Sequence, residues 1–183
     1  MAPCQEDVFK SLGDYILINA LKGYNACMFA YGQTGSGKTY TMMGNQSNPG
    51  IIPRLCETLF DRVNDLSVGK TQFKVEVSYM EIYNEKVYDL FDITGNRKAL
   101  NIREHSILGP YVDGLSKLLV CSVEEVKNLM EVGNKSRTVG ATNMNVESSR
   151  SHAVFTITLS STINDASKVV SPQRVYKMII KLV

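Results

Sequence analysis

Gly32-Gln33-Thr34-Gly35-Ser36-Gly37-Lys38-Thr39 carries the full G-x-x-x-x-G-K-[ST] pattern of a phosphate-binding loop. Each fixed position meets a physical need. Glycine lets the backbone turn sharply and approach phosphate oxygens with no Cβ in the way. Successive N–H groups at the start of the following helix form a nest for anions. Lys38 can place a point charge on the β- and γ-phosphates, and the Thr39 hydroxyl can ligate magnesium. Upstream, Ala26-Cys27-Met28-Phe29-Ala30-Tyr31 is a short apolar run, suited to a strand buried on both faces with Cys27 in the core. Downstream, Lys38-Thr39-Tyr40-Thr41-Met42-Met43 predicts a short helix that stops at Gly44. Strand, loop and helix are the context the motif requires. The alternative for the octapeptide alone is a glycine-rich turn with no ligand.

The remaining composition narrows the class. Hydrophobic residues make up 44% of the 183 and charged residues 21%, ordinary values for one globular domain with a sizeable core. The net charge of +2 is too balanced to imply nucleic acid or anionic lipid as a partner. No apolar run reaches the ~18–20 residues of a membrane span, and no secretory signal pattern opens the sequence. Cys4, Cys27, Cys56 and Cys121 are scattered, so reduced thiols of a cytoplasmic protein are expected. A zinc site would want paired ligands, and His105 and His152 stand far apart.

Periodicity organises the chain outward from the loop. Residues 5–22 predict a helix with Phe9, Leu12, Tyr15, Ile16 and Leu21 near one face and Gly23 closing it. Pro53 could open a helix with Leu55, Leu59, Phe60 and Val63 on its apolar stripe. Residues 72–83 alternate as a strand, with Phe73, Val75, Val77 and Tyr79 on one side. Asn101 to Ile107 reads as strand or loop, broken by Gly109-Pro110. Ser122-Val123-Glu124-Glu125 is a capping box, opening a helix toward Arg137 with Gly133 as its weak point. Residues 153–160 and 175–183 are strongly β. An α/β architecture follows, with the nucleotide at the carboxyl ends of the strands.

A second constellation, Asn145-Val146-Glu147-Ser148-Ser149-Arg150-Ser151-His152, precedes the strand at 153–160. Its hydroxyls and amides suit a phosphate, a magnesium ion or a positioned water. A polar turn or cap before a strand is the plainer reading of this segment alone.

Together the segments resemble one family. Tyr24-Asn25-Ala26-Cys27 through Tyr31–Met42 resembles the phosphate-loop signature of the kinesin motor domain, and Asn145-x-x-Ser148-Ser149-Arg150-Ser151-His152 resembles its first switch. Ser78-Tyr79-Met80-Glu81-Ile82-Tyr83-Asn84-Glu85 is similar to the segment between them. Arg103-Glu104-His105 with Gly109-Pro110-Tyr111-Val112 looks most like kinesin subfamily three. The resemblance implies a P-loop NTPase-type central mixed β-sheet flanked by helices. It implies an ATPase that binds ATP with Mg2+ and moves on microtubules, placed in the cytoplasm on the cytoskeleton.

Carried over by position, residues Gly32, Gln33, Thr34, Gly35, Ser36, Gly37, Lys38 and Thr39 hold the phosphates. Tyr40 takes the place of a ring stacked on adenine, the alternative being a packed helix aromatic. Thr39 and Ser149 stand as metal ligands, and Asn145, Ser148, Ser149 and Arg150 as the γ-phosphate sensor and catalytic set. Residues near Arg103 and His105 correspond to a lobe touching tubulin, or are ordinary solvated side chains. The family's opening Arg-x-Arg-Pro strand and its second switch, Asp-x-x-Gly-x-Glu, do not occur in this sequence. A single motor domain cut at both ends is therefore expected over residues 1–183, with negligible hydrolysis by this stretch alone and Met178–Val183 as a sticky terminus. A second reading is a non-motile module that holds nucleotide or a partner without hydrolysing, and a third is a fragment without activity.

Overall fold

The computed structural model describes residues 4–66, 71–94, 97–107, 109–142, 151–163 and 173–182. Among them a seven-stranded mixed sheet runs in the order β1 (Ala26–Phe29), β9 (Gln173–Leu182), β8 (Ser151–Ile163), β2 (Thr71–Tyr83), β3 (Lys86–Asp89), β4 (Ala99–Leu100). A further strand, β7 (Leu118–Val120), pairs with β2 beside β3. β1 and β9 are parallel, and the other pairings are antiparallel. The longest ladder joins β2 to β8, from Thr71 opposite Ile163 to Tyr83 opposite Ser151. Asn84 and Glu85, at φ of 49° and 60°, make the tight turn from β2 to β3.

The helices gather on one face of this sheet. They are α1 (Gln5–Val8), a π-helical turn at Phe9–Gly13, α2 (Asp14–Leu21), α3 (Lys38–Met43), α4 (Ile51–Leu66) and α5 (Val123–Thr142). Leu55, Leu59 and Val63 of α4 meet Val75, Val77 and Tyr79 of β2 and Phe155, Ile157 and Leu159 of β8 in one buried cluster. Alternation in two facing strands puts all those β residues on the same side. Ser122 caps α5 by accepting the Glu125 N–H at 3.2 Å, while the Glu125 carboxylate accepts the Cys121 N–H at 2.7 Å.

Several expectations change once the packing is in view. Cys27 is exposed and Phe29 is 66% exposed, because β1 ends the strand order and only its Ala26/Met28 side meets the helix layer. The extra residue of the π-helical turn rotates the first helix, so Leu17 and Ala20 are buried and Tyr15 lies 71% exposed. α4 starts at Ile51, ahead of Pro53, and α5 runs past Arg137 to Thr142. Gly109 and Pro110 do not break a strand. They begin β6 (Gly109–Val112), which pairs with β5 (Ile102–His105) as a separate two-stranded ribbon. From Met178 to Lys181, within the expected sticky terminus, β9 has backbone partners on both sides, and Leu182 pairs with Ala153 alone.

Candidate functional site

β1 leads into the glycine loop and α3 continues from it, as the motif demands. Gly37 adopts φ +87°, and a Cβ there would meet nothing within 4 Å. The left-handed backbone, not crowding, is what calls for glycine at this position. At Gly32 the reason is close approach, since a Cβ would come within 2.5 Å of Ser36 Oγ. The Ser36 N–H donates to Gln33 O at 3.2 Å and closes the turn. Lys38 Nζ donates to the carbonyls of Gly32 at 2.6 Å and Gln33 at 2.9 Å, which holds the ammonium inside the curl. The helix ladder begins with Thr41 N–H on Gly37 O at 2.8 Å. The N–H groups of Lys38, Thr39 and Tyr40 precede that first rung and have no acceptor within the helix. A concave row of donors with a cation beside it can accept a chain of phosphates.

α3 is pinned by Met42, which is 1% exposed and packs in the central cluster. Thr39 is on the solvent side, free to offer its hydroxyl. Tyr40 is 49% exposed, so it is not a packed helix aromatic. Its ring is nonetheless held. Tyr40 O accepts from Gln5 Nε2 at 2.6 Å, and Tyr40 Oη accepts from Asn48 Nδ2 at 3.1 Å.

Register brings a second region to this end of the sheet. Phe29 of β1 lies opposite Lys181 of β9, and Leu182 lies opposite Ala153 of β8. The start of β8 therefore stands at the end of the sheet where β1 enters the loop. Asn145, Ser148, Ser149 and Arg150 lie outside the described residues. Their described neighbour Ser151 is buried and accepts a hydrogen bond from Arg137 Nη2 at 3.1 Å. Arg137 also faces the buried Glu81 carboxylate, Nε to Oε1 at 3.4 Å, and Arg97 pairs with the same carboxylate. His152 Nδ1 is buried with no hydrogen-bond partner among the described residues.

Arg103 and His105 are elsewhere. They sit on the exposed β5–β6 ribbon that follows β4, at the far end of the strand order from β1. Arg103 Nε donates to Asp113 Oδ2 at 2.6 Å, and His105 Nδ1 accepts the Ile107 N–H at 3.2 Å. The structure thus holds residues 32–40 together as the glycine loop and the first residues of α3, and sets the ribbon apart from them. Sequence reasoning missed Gln5, Asn48, Glu81 and Arg137. Gln5, Glu81 and Arg137 carry no local signal, because Gln5 meets Tyr40, and Glu81 meets Arg137, through long-range packing. Asn48 reaches Tyr40 from only eight positions away, across the 44–50 turn.

A model of the kinesin motor domain matches residues 2–182. The chain belongs to the kinesin motor-domain family. It is 63% identical over 174 residues to human "Kinesin-like protein KIF13B", covering 95% of this chain and 10% of that protein. Human "Kinesin-like protein KIF13A" is 59% identical over 174 residues, again covering 95% and 10%. Rat "Kinesin-like protein KIF1A" is 52% identical over 176 residues, with the same coverage. The first two relatives are of the kinesin-3 family, in keeping with the subfamily-three likeness of the 103–112 segment. The chain spans about a tenth of the length of these relatives.

Proposed function

We propose that this chain is the nucleotide-gripping part of an ATP-driven microtubule motor. The observation that carries the reading is the loop at residues 32–39: Gly37 in a left-handed turn, Lys38 Nζ held at 2.6–2.9 Å from the loop carbonyls, and helix-start N–H groups with no acceptor within the helix. These groups fit a triphosphate. Gly32, Gln33, Thr34, Gly35, Ser36, Gly37 and Lys38 surround its oxygens with amides and one positive charge. Thr39, on the solvent side, and Ser149 offer hydroxyls to Mg2+, which neutralises charge on the phosphates when bound. Tyr40 offers an exposed ring to the adenine, where stacking tolerates base identity.

Asn145, Ser148, Ser149 and Arg150 are assigned to sensing the γ-phosphate. The register of β1, β9 and β8 supports this, since Ser151 begins β8 at the loop's end of the sheet. Segments of this kind are ordered by a γ-phosphate and released after hydrolysis. The exposed ribbon around Arg103 and His105 is assigned to tubulin, and the working place of the protein to the microtubule cytoskeleton of the cytoplasm. The 183 residues contain no Asp-x-x-Gly-x-Glu segment. We therefore assign to them binding without appreciable turnover, and turnover that rises with added microtubules would overturn that assignment.

Calorimetry with Mg-ATP tests the central reading, using Lys38→Ala as the comparison. Binding by the natural chain and its loss in the variant, at unchanged melting temperature, is the expected result. Equal binding by both would remove Lys38 and its loop from the site.

A further inference from the structure

We infer that Asn48 is a positioning residue that sets the Tyr40 ring as a platform for a purine base; the inference rests on the proposed nucleotide reading. Tyr40 stands two residues after Lys38 on a helix of six residues and is 49% exposed, so packing restrains only part of its ring. A stacking surface that must first be ordered loses affinity by the freedom it gives up. Of two contacts from outside α3, the one from Asn48 restrains the ring itself, and the one from Gln5 restrains the backbone that carries it. The buried Gln5 of α1 ties down the backbone carbonyl at 2.6 Å, and Asn48 ties down the phenol oxygen at 3.1 Å.

The chemistry also fixes which way the Asn48 amide points. Arg54 has donors only, and its Nη2 lies 3.4 Å from Asn48 Oδ1. Arg54 is itself aligned by Nε on Pro49 O at 2.8 Å. With the oxygen side of the amide facing a guanidinium, the NH2 side is left for Tyr40. Tyr40 Oη then accepts, and its own hydrogen is turned away from Asn48. The Asn48 backbone is held in turn, its N–H on Asn45 Oδ1 at 2.8 Å. Arg54, Asn48 and Tyr40 thus form a chain of polarity running from α4, across the 44–50 turn, to the ring.

The test separates base from phosphate. Affinity is measured for Mg-ATP and for magnesium with inorganic tripolyphosphate, which has the phosphates but no base. Asn48→Ala should weaken ATP about three- to tenfold, the range of one net hydrogen bond, and leave tripolyphosphate unchanged. Tyr40→Phe keeps the ring and loses the acceptor, so it should reproduce that loss. The double variant should lose no more than either single one. Tyr40→Phe also stands in should Asn48→Ala fold poorly. Undiminished ATP binding in both variants, or an equal loss for both ligands, overturns the inference and leaves the phosphate loop standing. A natural chain that binds neither ligand overturns the nucleotide reading and this inference with it.

Discussion

Tyr79 packs its ring into the space that Gly133 leaves empty. A Cβ on Gly133 would lie 2.2 Å from Tyr79 Cδ1 and 2.7 Å from Cε1. The ring cannot swing aside, since Phe155 and Phe91 meet it edge-on at 5.4 Å and 6.2 Å between centroids. Its hydroxyl is anchored on Asn134 Oδ1 at 2.8 Å. One glycine thus lets α5 settle against β2.

Gly133→Ala should therefore destabilise the fold. In an exposed helix the change would gain about 1 kcal/mol of propensity. Overpacking against an immobile ring costs about 1–3 kcal/mol, often more than the gain. A lower midpoint in urea is the expected outcome, and a raised one would show that α5 shifts without penalty.

Glu81→Ala should destabilise more. Its carboxylate side chain is 5% exposed and faces both Arg97 and Arg137. Removing it leaves two guanidiniums without their shared counter-charge. Buried pairs broken in this way cost about 3–5 kcal/mol, and the partial exposure of the arginines brings the expectation to about 2–3 kcal/mol. Comparing melts of Glu81→Ala and Glu81→Gln checks it, the amide being the milder change.

Met42→Ala should loosen α3 and with it the loop. The side chain is 1% exposed at the centre of the cluster, and truncations of this kind cost about 2–5 kcal/mol. Because Met42 is the buried anchor of a six-residue helix, nucleotide affinity should fall along with the melting temperature. Full affinity in a destabilised variant would mean that the loop holds its shape without this anchor.

Alkali should weaken the fold through Cys56. Burial pushes its thiol from 9.0 up to about 12. Below pH 9 both folded and unfolded chains keep the proton, and the stabilising difference is whole. Between pH 9 and 12 the unfolded chain loses the proton while the folded chain keeps it, so stability falls as pH rises. Burial raises the Tyr79 phenol as well, which adds a loss of the same sign above its ordinary value of 10.0. Urea midpoints at pH 7, 9 and 10 measure the trend. At neutral pH a thiol reagent should modify the exposed Cys4, Cys27 and Cys121 and spare Cys56.

Much of this was legible along the chain where the signal is local. The octapeptide at 32–39, the stop at Gly44, the alternation through 72–83 and the capping box at Ser122 each rest on near neighbours, and the structure carries all four. The burial of the first helix and of β1 was not legible. Leu12 and Tyr15 fit the apolar stripe of a regular α-helix, and a π-helical turn displaces them from it. Cys27 and Phe29 look like core in any hydropathy reading, yet burial depends on what lies across the sheet.

Residue order alone determined the glycine loop and the family, because a positive-φ glycine, a following lysine and a helix start act within eight positions of one another. Tertiary structure decided which end of the sheet β8 starts from, which residues brace Tyr40, and that the buried Glu81 carboxylate faces two arginines. Asn48 and Arg97 reach Tyr40 and Glu81 from 8 and 16 positions away. Gln5 and Tyr40, however, stand 35 positions apart, Glu81 and Arg137 56, and the β2–β8 partners 68 or more; strand register and helix docking join them, and no short-range pattern encodes such distances.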